Sequence, residues 1–224
     1  ELKKRTNSWW IMFTMITGVL FINKIIAVIG LAFLSFVALR ELLSCLDLRQ
    51  SDRKLMLWGY LCIPIQFYLA YVADYGLFII FIPVVMFLFL PFRAVMVGDT
   101  VDVTKSFSVI QWSLMLTVFS ISHIAFLLSQ EDHPGFSAGN GGLLLYLIFL
   151  TQFNDVLQFI WGKALGKRKI LPKVSPNKTW EGFIGGVIST TVIGYYLRFL
   201  TPLEPKEAIL VAFVIAVGGF CGDV

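Results

Sequence analysis

Two acids and a run of cations carry the chemistry of this chain. Asp155 lies near the end of an apolar stretch, and Thr151, Asp155 and Gln158 share one helical face by their i, i+4, i+7 spacing. Asp223 closes another apolar stretch, beside Gly218, Gly219 and Gly222. An acid in such surroundings is costly, and is normally paired, bound to a metal or turned to water. Two carboxylates on two helices at one depth can hold a hard divalent cation, and Mg²⁺ takes oxygen ligands while keeping waters and substrate phosphates. Between the two acids, Lys163, Lys167, Arg168, Lys169, Lys173 and Lys178 place six cations within sixteen residues, with no acid among them. A lipid-headgroup anchor would explain their sign. It would not explain Ser175-Pro176-Asn177-Lys178-Thr179 directly before a helix. Pro suits a first helical turn, and Ser175, Asn177 and Thr179 are equal candidates for its cap. The free N–H groups of such a helix start form a seat for phosphate.

Other features are weighed and set aside. Gly162-Lys163-Ala164-Leu165-Gly166-Lys167 is not a P-loop: its glycines are one residue too close, and no Ser or Thr follows the lysine. Gly182 and Gly186 form a GxxxG pair suited to helix packing. His123, mid-segment with no acid near it, reads as a hydrogen-bonded packing residue. His133 reads as a turn residue and Asp74 as interfacial. Cys45, Cys62 and Cys221 have no metal or disulfide spacing and read as small apolar fillers.

The elements that must position the acids are membrane helices. The 224 residues are 58% hydrophobic and 14% charged, whereas a soluble domain carries about 25% charge. Mean hydropathy is +0.82. The expected fold is an all-α, polytopic membrane helix bundle. Eight apolar segments are legible, at 9–22, 25–43, 55–73, 75–92, 106–129, 141–161, 182–200 and 208–224. Most approach the ~20 residues that span ~30 Å of hydrocarbon. Only Asn23 and Lys24 separate the first two, so one long tilted helix is the alternative there.

Charge placement favours eight. Alternating the segments puts Lys3, Lys4, Arg5, Arg49, Arg53, Lys54, Arg93, Lys105 and the 162–181 loop on one side. By the positive-inside rule that side, with the N-terminus, is cytoplasmic. Trp9, Trp10, Trp58, Trp161 and Trp180 fall at segment ends, as an interfacial belt requires. The basic residues cluster at one membrane face with no soluble module behind them, so nucleic acid is not an expected partner. The last segment stops at Gly222-Asp223-Val224 without a cap or flanking charge, so the native chain is expected to continue.

Three pieces together resemble the phosphatidate cytidylyltransferases, or CDP-diacylglycerol synthases. They are Asn154-Asp155 followed by Gly162-Lys163 and Gly166-Lys167-Arg168; the run Pro172-Lys173-Val174-Ser175-Pro176-Asn177-Lys178-Thr179-Trp180-Glu181-Gly182 with Gly185-Gly186; and Gly222-Asp223. The likeness is strong over 150–224 and general over 1–149. It implies a single transmembrane domain, with membrane helices over 1–149 and a catalytic region from 150 onward. In the family, Gly-Asp opens a longer run through Ser-x-x-Lys-Arg, Lys-Asp and Gly-His-Gly-Gly, which this chain does not contain.

The resemblance implies CTP + phosphatidate → CDP-diacylglycerol + pyrophosphate, at the cytoplasmic face of a bacterial inner membrane. CTP, phosphatidate and the bilayer are the implied partners; a homodimer is left open. Asp155 and Asp223 would hold one or two Mg²⁺ ions. Lys167, Arg168 and Lys178 would act on the triphosphate or the phosphatidate headgroup. Asn154, Lys163, Lys173, Ser175, Asn177 and Thr179 would bind phosphate or substrate. Glu181 is either a metal or outer-layer ligand or the partner of a loop lysine. The alternatives are a CTP-dependent, polyprenol-type lipid kinase, or a non-catalytic transporter or scaffold for an anionic lipid.

Overall fold

The computed structural model describes residues 23–46, 49, 53–96, 103–132, 136, 138–173 and 175–223. Among these, seven helices are long and apolar enough to cross a membrane. They are α1 (Lys24–Ser44), α2 (Arg53–Val72), α3 (Tyr75–Met96), α4 (Thr104–Ser129), α5 (Gly139–Leu165), α6 (Trp180–Leu200) and α7 (Pro205–Asp223). This is a polytopic helical membrane protein. The first apolar segment, 9–22, together with Trp9, Trp10 and the basic N-terminus, lies outside the described residues, as does His133.

Asn23 decides one alternative. Its backbone is extended (φ −166°, ψ 137°) and its side chain accepts from the N–H of Ile25. A new helix therefore starts at Lys24, and 9–43 is not one continuous helix.

The chain divides into two compact units, Glu1–Gln130 and Glu131–Val224. In the first, α1 to α4 pack around Leu39, Phe78, Ile82, Leu90, Ile110 and Leu114, all fully buried. Both α3 and α4 carry a π-helical turn, Phe81–Met86 and Met115–Phe119. Pro83 lies in the first of these and has no N–H to give. Backbone carbonyls beside these turns need other donors, because lipid supplies none. Gln66 Nε2 donates to the Phe78 carbonyl at 3.2 Å, Gln111 Nε2 to that of Ile82 at 2.9 Å, and Ser35 Oγ to that of Thr117 at 2.8 Å. Ala73, at φ 60°, makes the tight turn into α3, and Asp74 Oδ1 accepts from the N–H of Leu77. His123 sits edge-on to Phe78 and Phe119, with Nδ1 2.7 Å from the Phe119 carbonyl oxygen.

The second unit is a three-helix packet, α5, α6 and α7, with a small hairpin between α5 and α6. Close approach of the helices rests on glycine. At Gly182 a Cβ would stand 2.8 Å from the Gln158 carbonyl oxygen and 3.0 Å from Gly162 Cα. At Gly194 it would stand 2.3 Å from Ala212 Cβ and 2.9 Å from the Tyr146 hydroxyl. Neither neighbour can give way cheaply. Gly194→Val is therefore expected to destabilise the packet by about 1–3 kcal/mol through overpacking. Gly218, where nothing lies within 4 Å of the missing Cβ, is the control. Thermal unfolding in detergent should show a lower Tm for Gly194→Val and little change for Gly218→Val.

Polar ties fix the register of the packet. Asn154 donates through Nδ2 to the Ala216 carbonyl (3.0 Å), and its Oδ1 accepts from Thr190 Oγ1 (3.2 Å). One side chain thus joins all three helices. Trp161 Nε1 donates to Ser189 Oγ at 3.0 Å, and the Tyr146 hydroxyl lies 3.1 Å from the Ala208 carbonyl oxygen.

Candidate active site

The end of the packet that carries the hairpin brings the sequence-marked residues together. The hairpin is a two-stranded antiparallel sheet, β1 (Lys169–Leu171) with β2 (Ser175–Thr179). Lys169 pairs with Thr179 and Leu171 with Ser175, with an irregularity between. Pro176, which suits a first helical turn, instead lies on β2. A two-stranded sheet consists only of edges, where a missing N–H is tolerated.

Of the three cap candidates, Thr179 is the cap of α6: its Oγ1 accepts from the N–H of Gly182 at 3.2 Å. Ser175 and Asn177 lie on the strand. Glu181, in the first turn of α6, is the acid that a helix start favours. Its carboxylate accepts from the backbone N–H of Lys167 (3.0 Å) and of Arg168 (3.2 Å). Among the described residues its hydrogen-bond donors are thus backbone N–H groups, not a lysine side chain. Glu181 pins the start of the basic loop to the start of α6 and so sets where Lys167 and Arg168 stand. Together with Trp180 and Ile184 these residues line an open groove of about 580 Å³.

Asp155, Lys178 and Asp223 form the charged centre. Asp155 is on α5, Lys178 on β2 and Asp223 at the end of α7. Lys178 Nζ forms an ion pair with Asp223 Oδ2 and stands 5.9 Å from the centroid of the Phe220 ring. Asp155 is within electrostatic reach of both Asp223 and Lys178. Its Oδ1 is buried and has no hydrogen-bond partner among the described residues. Nor do three or more His, Cys, Asp or Glu side chains gather there as a cage. An orphaned buried carboxylate oxygen beside a second carboxylate fits Mg²⁺. That ion is commonly held by one or two carboxylates and completed by water and substrate phosphate.

The other expected site residues are placed differently. Asn154 is fully buried and both its amide atoms are taken by the inter-helix ties, so here it serves the packet. Lys163 is exposed in the last turn of α5, 6.0 Å from the centroid of the Phe159 ring. Lys173 is exposed in the hairpin turn. Lys167 and Arg168 are exposed beside the groove.

The profile of the cytidylyltransferase family matches residues 3–224. The chain belongs to that family. Among its relatives, the uncharacterized protein YnbB of Escherichia coli K12 is 36% identical over 226 residues, covering 100% of this chain and 73% of the relative. The phosphatidate cytidylyltransferase of Chlamydia pneumoniae is 31% identical over 125 residues, 53% of this chain and 39% of that enzyme. That of Haemophilus influenzae is 49% identical over 74 residues, 33% of this chain and 26% of the enzyme. Against these two named enzymes the match spans less than half of their length. No solved structure matches the chain. Asp155, Lys178 and Asp223 thus converge at one end of the packet.

Proposed function

We propose that this protein transfers a cytidylyl group from CTP to phosphatidate, giving CDP-diacylglycerol and pyrophosphate, with Mg²⁺, at the cytoplasmic face of a bacterial inner membrane. The observation that carries this reading is the meeting of two carboxylates, Asp155 and Asp223, with the Lys178 ammonium beside a basic hairpin. The relatives named as phosphatidate cytidylyltransferases support the same chemistry.

The phosphatidate oxygen is already anionic, so no general base is required. It attacks the α-phosphorus of CTP; a new P–O bond forms, and the bond from the α-phosphorus to the bridging oxygen breaks and leaves with pyrophosphate. The difficulty is electrostatic, since two anions must meet and charge builds on the leaving group. Fixed positive charge and positioning address both. Asp155 and Asp223 would hold Mg²⁺, whose charge would offset that of the triphosphate and of the departing pyrophosphate. Lys178 moves its charge from Asp223 to phosphate oxygens. Lys167 and Arg168, held in place by Glu181, receive the outer phosphates or the lipid headgroup. The site lies at the end of membrane helices, where a lipid phosphate is presented.

The test uses native full-length protein in phosphatidate vesicles with Mg²⁺ and CTP labelled at either the α- or the γ-phosphate. Label in lipid from α-labelled CTP, and in pyrophosphate from γ-labelled CTP, is expected. Label in lipid from γ-labelled CTP, with CDP released, would make the protein a lipid kinase. No labelled lipid from folded protein, beside an active relative, would refute the transfer to phosphatidate.

A further inference from the structure

Among the described residues, the second unit leaves three buried side-chain polar atoms without a hydrogen-bond partner: Asp155 Oδ1, Gln158 Oε1 and Gln158 Nε2. All three belong to one turn of α5, on one side of the helix, since residues three apart are neighbours there. Gln158 is only 4% exposed. Asn154, on the same helix, shows that this packet can satisfy a buried amide completely. Failure to do so one turn later calls for a cause, because each buried orphan costs about 1–3 kcal/mol.

Gln158 also occupies space made for it. A Cβ at Gly186 would stand 2.3 Å from Gln158 Cγ and 3.2 Å from its Cα. The glycine on α6 is what lets this side chain lie between the helices. An apolar residue of similar size would fill the same space without stranding two polar atoms.

The three orphans define their own complement. Asp155 Oδ1 and Gln158 Oε1 are both hard oxygen acceptors, whereas Gln158 Nε2 is a donor. A phosphate alone would face two acceptors and be repelled. A divalent cation accepts carboxylate and carboxamide oxygens alike, and a phosphate oxygen or water accompanying it accepts from the amide. We propose that Gln158 is the third protein oxygen donor of a divalent-cation site centred on Asp155, acting directly or through an ion-bound water, with its Nε2 free to hold a phosphate oxygen. This rests on the reading of Asp155 as a metal ligand given above.

The experiment is a Mn²⁺ titration of the detergent-solubilised full-length protein, without substrate, following the free ion by electron paramagnetic resonance. Gln158→Leu removes the oxygen at nearly constant size. It is expected to weaken Mn²⁺ binding by about 10-fold, with a Tm equal to or above that of the parent. Gln158→Glu is expected to bind as tightly or more tightly. Parental affinity in Gln158→Leu overturns the proposal; should that variant fail to fold, weaker binding in Gln158→Glu overturns it. If the parent protein binds Mn²⁺ and transfers nucleotide while Gln158→Leu is unaffected, only Gln158's role fails. If the parent binds no Mn²⁺, the metal reading of Asp155 fails with it.

Discussion

Asp155→Asn is expected to lower nucleotide transfer by about 10³-fold, near 4 kcal/mol of barrier, without unfolding the protein. The two side chains have the same shape, so packing along α5 is kept. What changes is charge. Oδ1 of Asp155 is buried without a partner, and the carboxylate shares its surroundings with Asp223. A neutral amide relieves the cost of a buried charge, so the Tm should hold or rise. It also removes one of two carboxylates available to Mg²⁺, and neither Lys167 nor Arg168 can replace that. An assay across a Mg²⁺ series checks this: the lost activity should be only partly restored at high Mg²⁺. A variant with near-parental activity would remove Asp155 from the chemistry.

Lys178→Met is expected to reduce kcat/KM for CTP by about 10²-fold, as loss of one charge-stabilising donor does. Stability is not the reason for this lysine. The Lys178 side chain is 21% exposed and that of Asp223 46%, and ion pairs this open contribute about 0–1 kcal/mol. The Tm should therefore move little. Two roles can be separated by the metal. If Lys178 serves the substrate phosphates, its removal leaves Asp223 freer to bind Mg²⁺, and the half-saturating Mg²⁺ concentration should fall or stay level while CTP turnover drops. If it only fastened the hairpin to α7, Lys178→Met would lower the Tm and disturb CTP and Mg²⁺ dependence together. Lys178→Arg keeps the charge and should recover much of the loss.

Most of the membrane fold can be read directly from apolar run length, because a span needs about 20 residues and few charges. The segments read at 25–43 and 141–161 correspond to helices Lys24–Ser44 and Gly139–Leu165. The π-helical turns in α3 and α4 leave no pattern beyond Pro83, since they depend on donors such as Gln111 and Ser35 from neighbouring helices. The hairpin was hidden for a related reason. Its strands have three and five residues, mostly polar or basic, without the apolar alternation that marks a strand. Pro176 then read as a helix start.

At the site, counting helices is enough to bring Asp155 and Asp223 to one end. Spacing alone could not separate Asn154 from Asp155. Their fates differ because Asn154 faces Ala216 and Thr190, and that is a property of three packed helices. Sequence leaves Glu181 between a metal or outer-layer ligand and the partner of a loop lysine. Its partners, two backbone N–H groups of a loop more than ten residues earlier, are a tertiary outcome.

The most direct test of the account follows both products in one vesicle preparation, with the parent protein and Asp155→Asn at equal folded concentration. With phosphatidate, CTP and Mg²⁺, the parent should form CDP-diacylglycerol and pyrophosphate in equal amounts, and the variant almost none. Equal product from both proteins, or none from the folded parent beside an active relative, would contradict it.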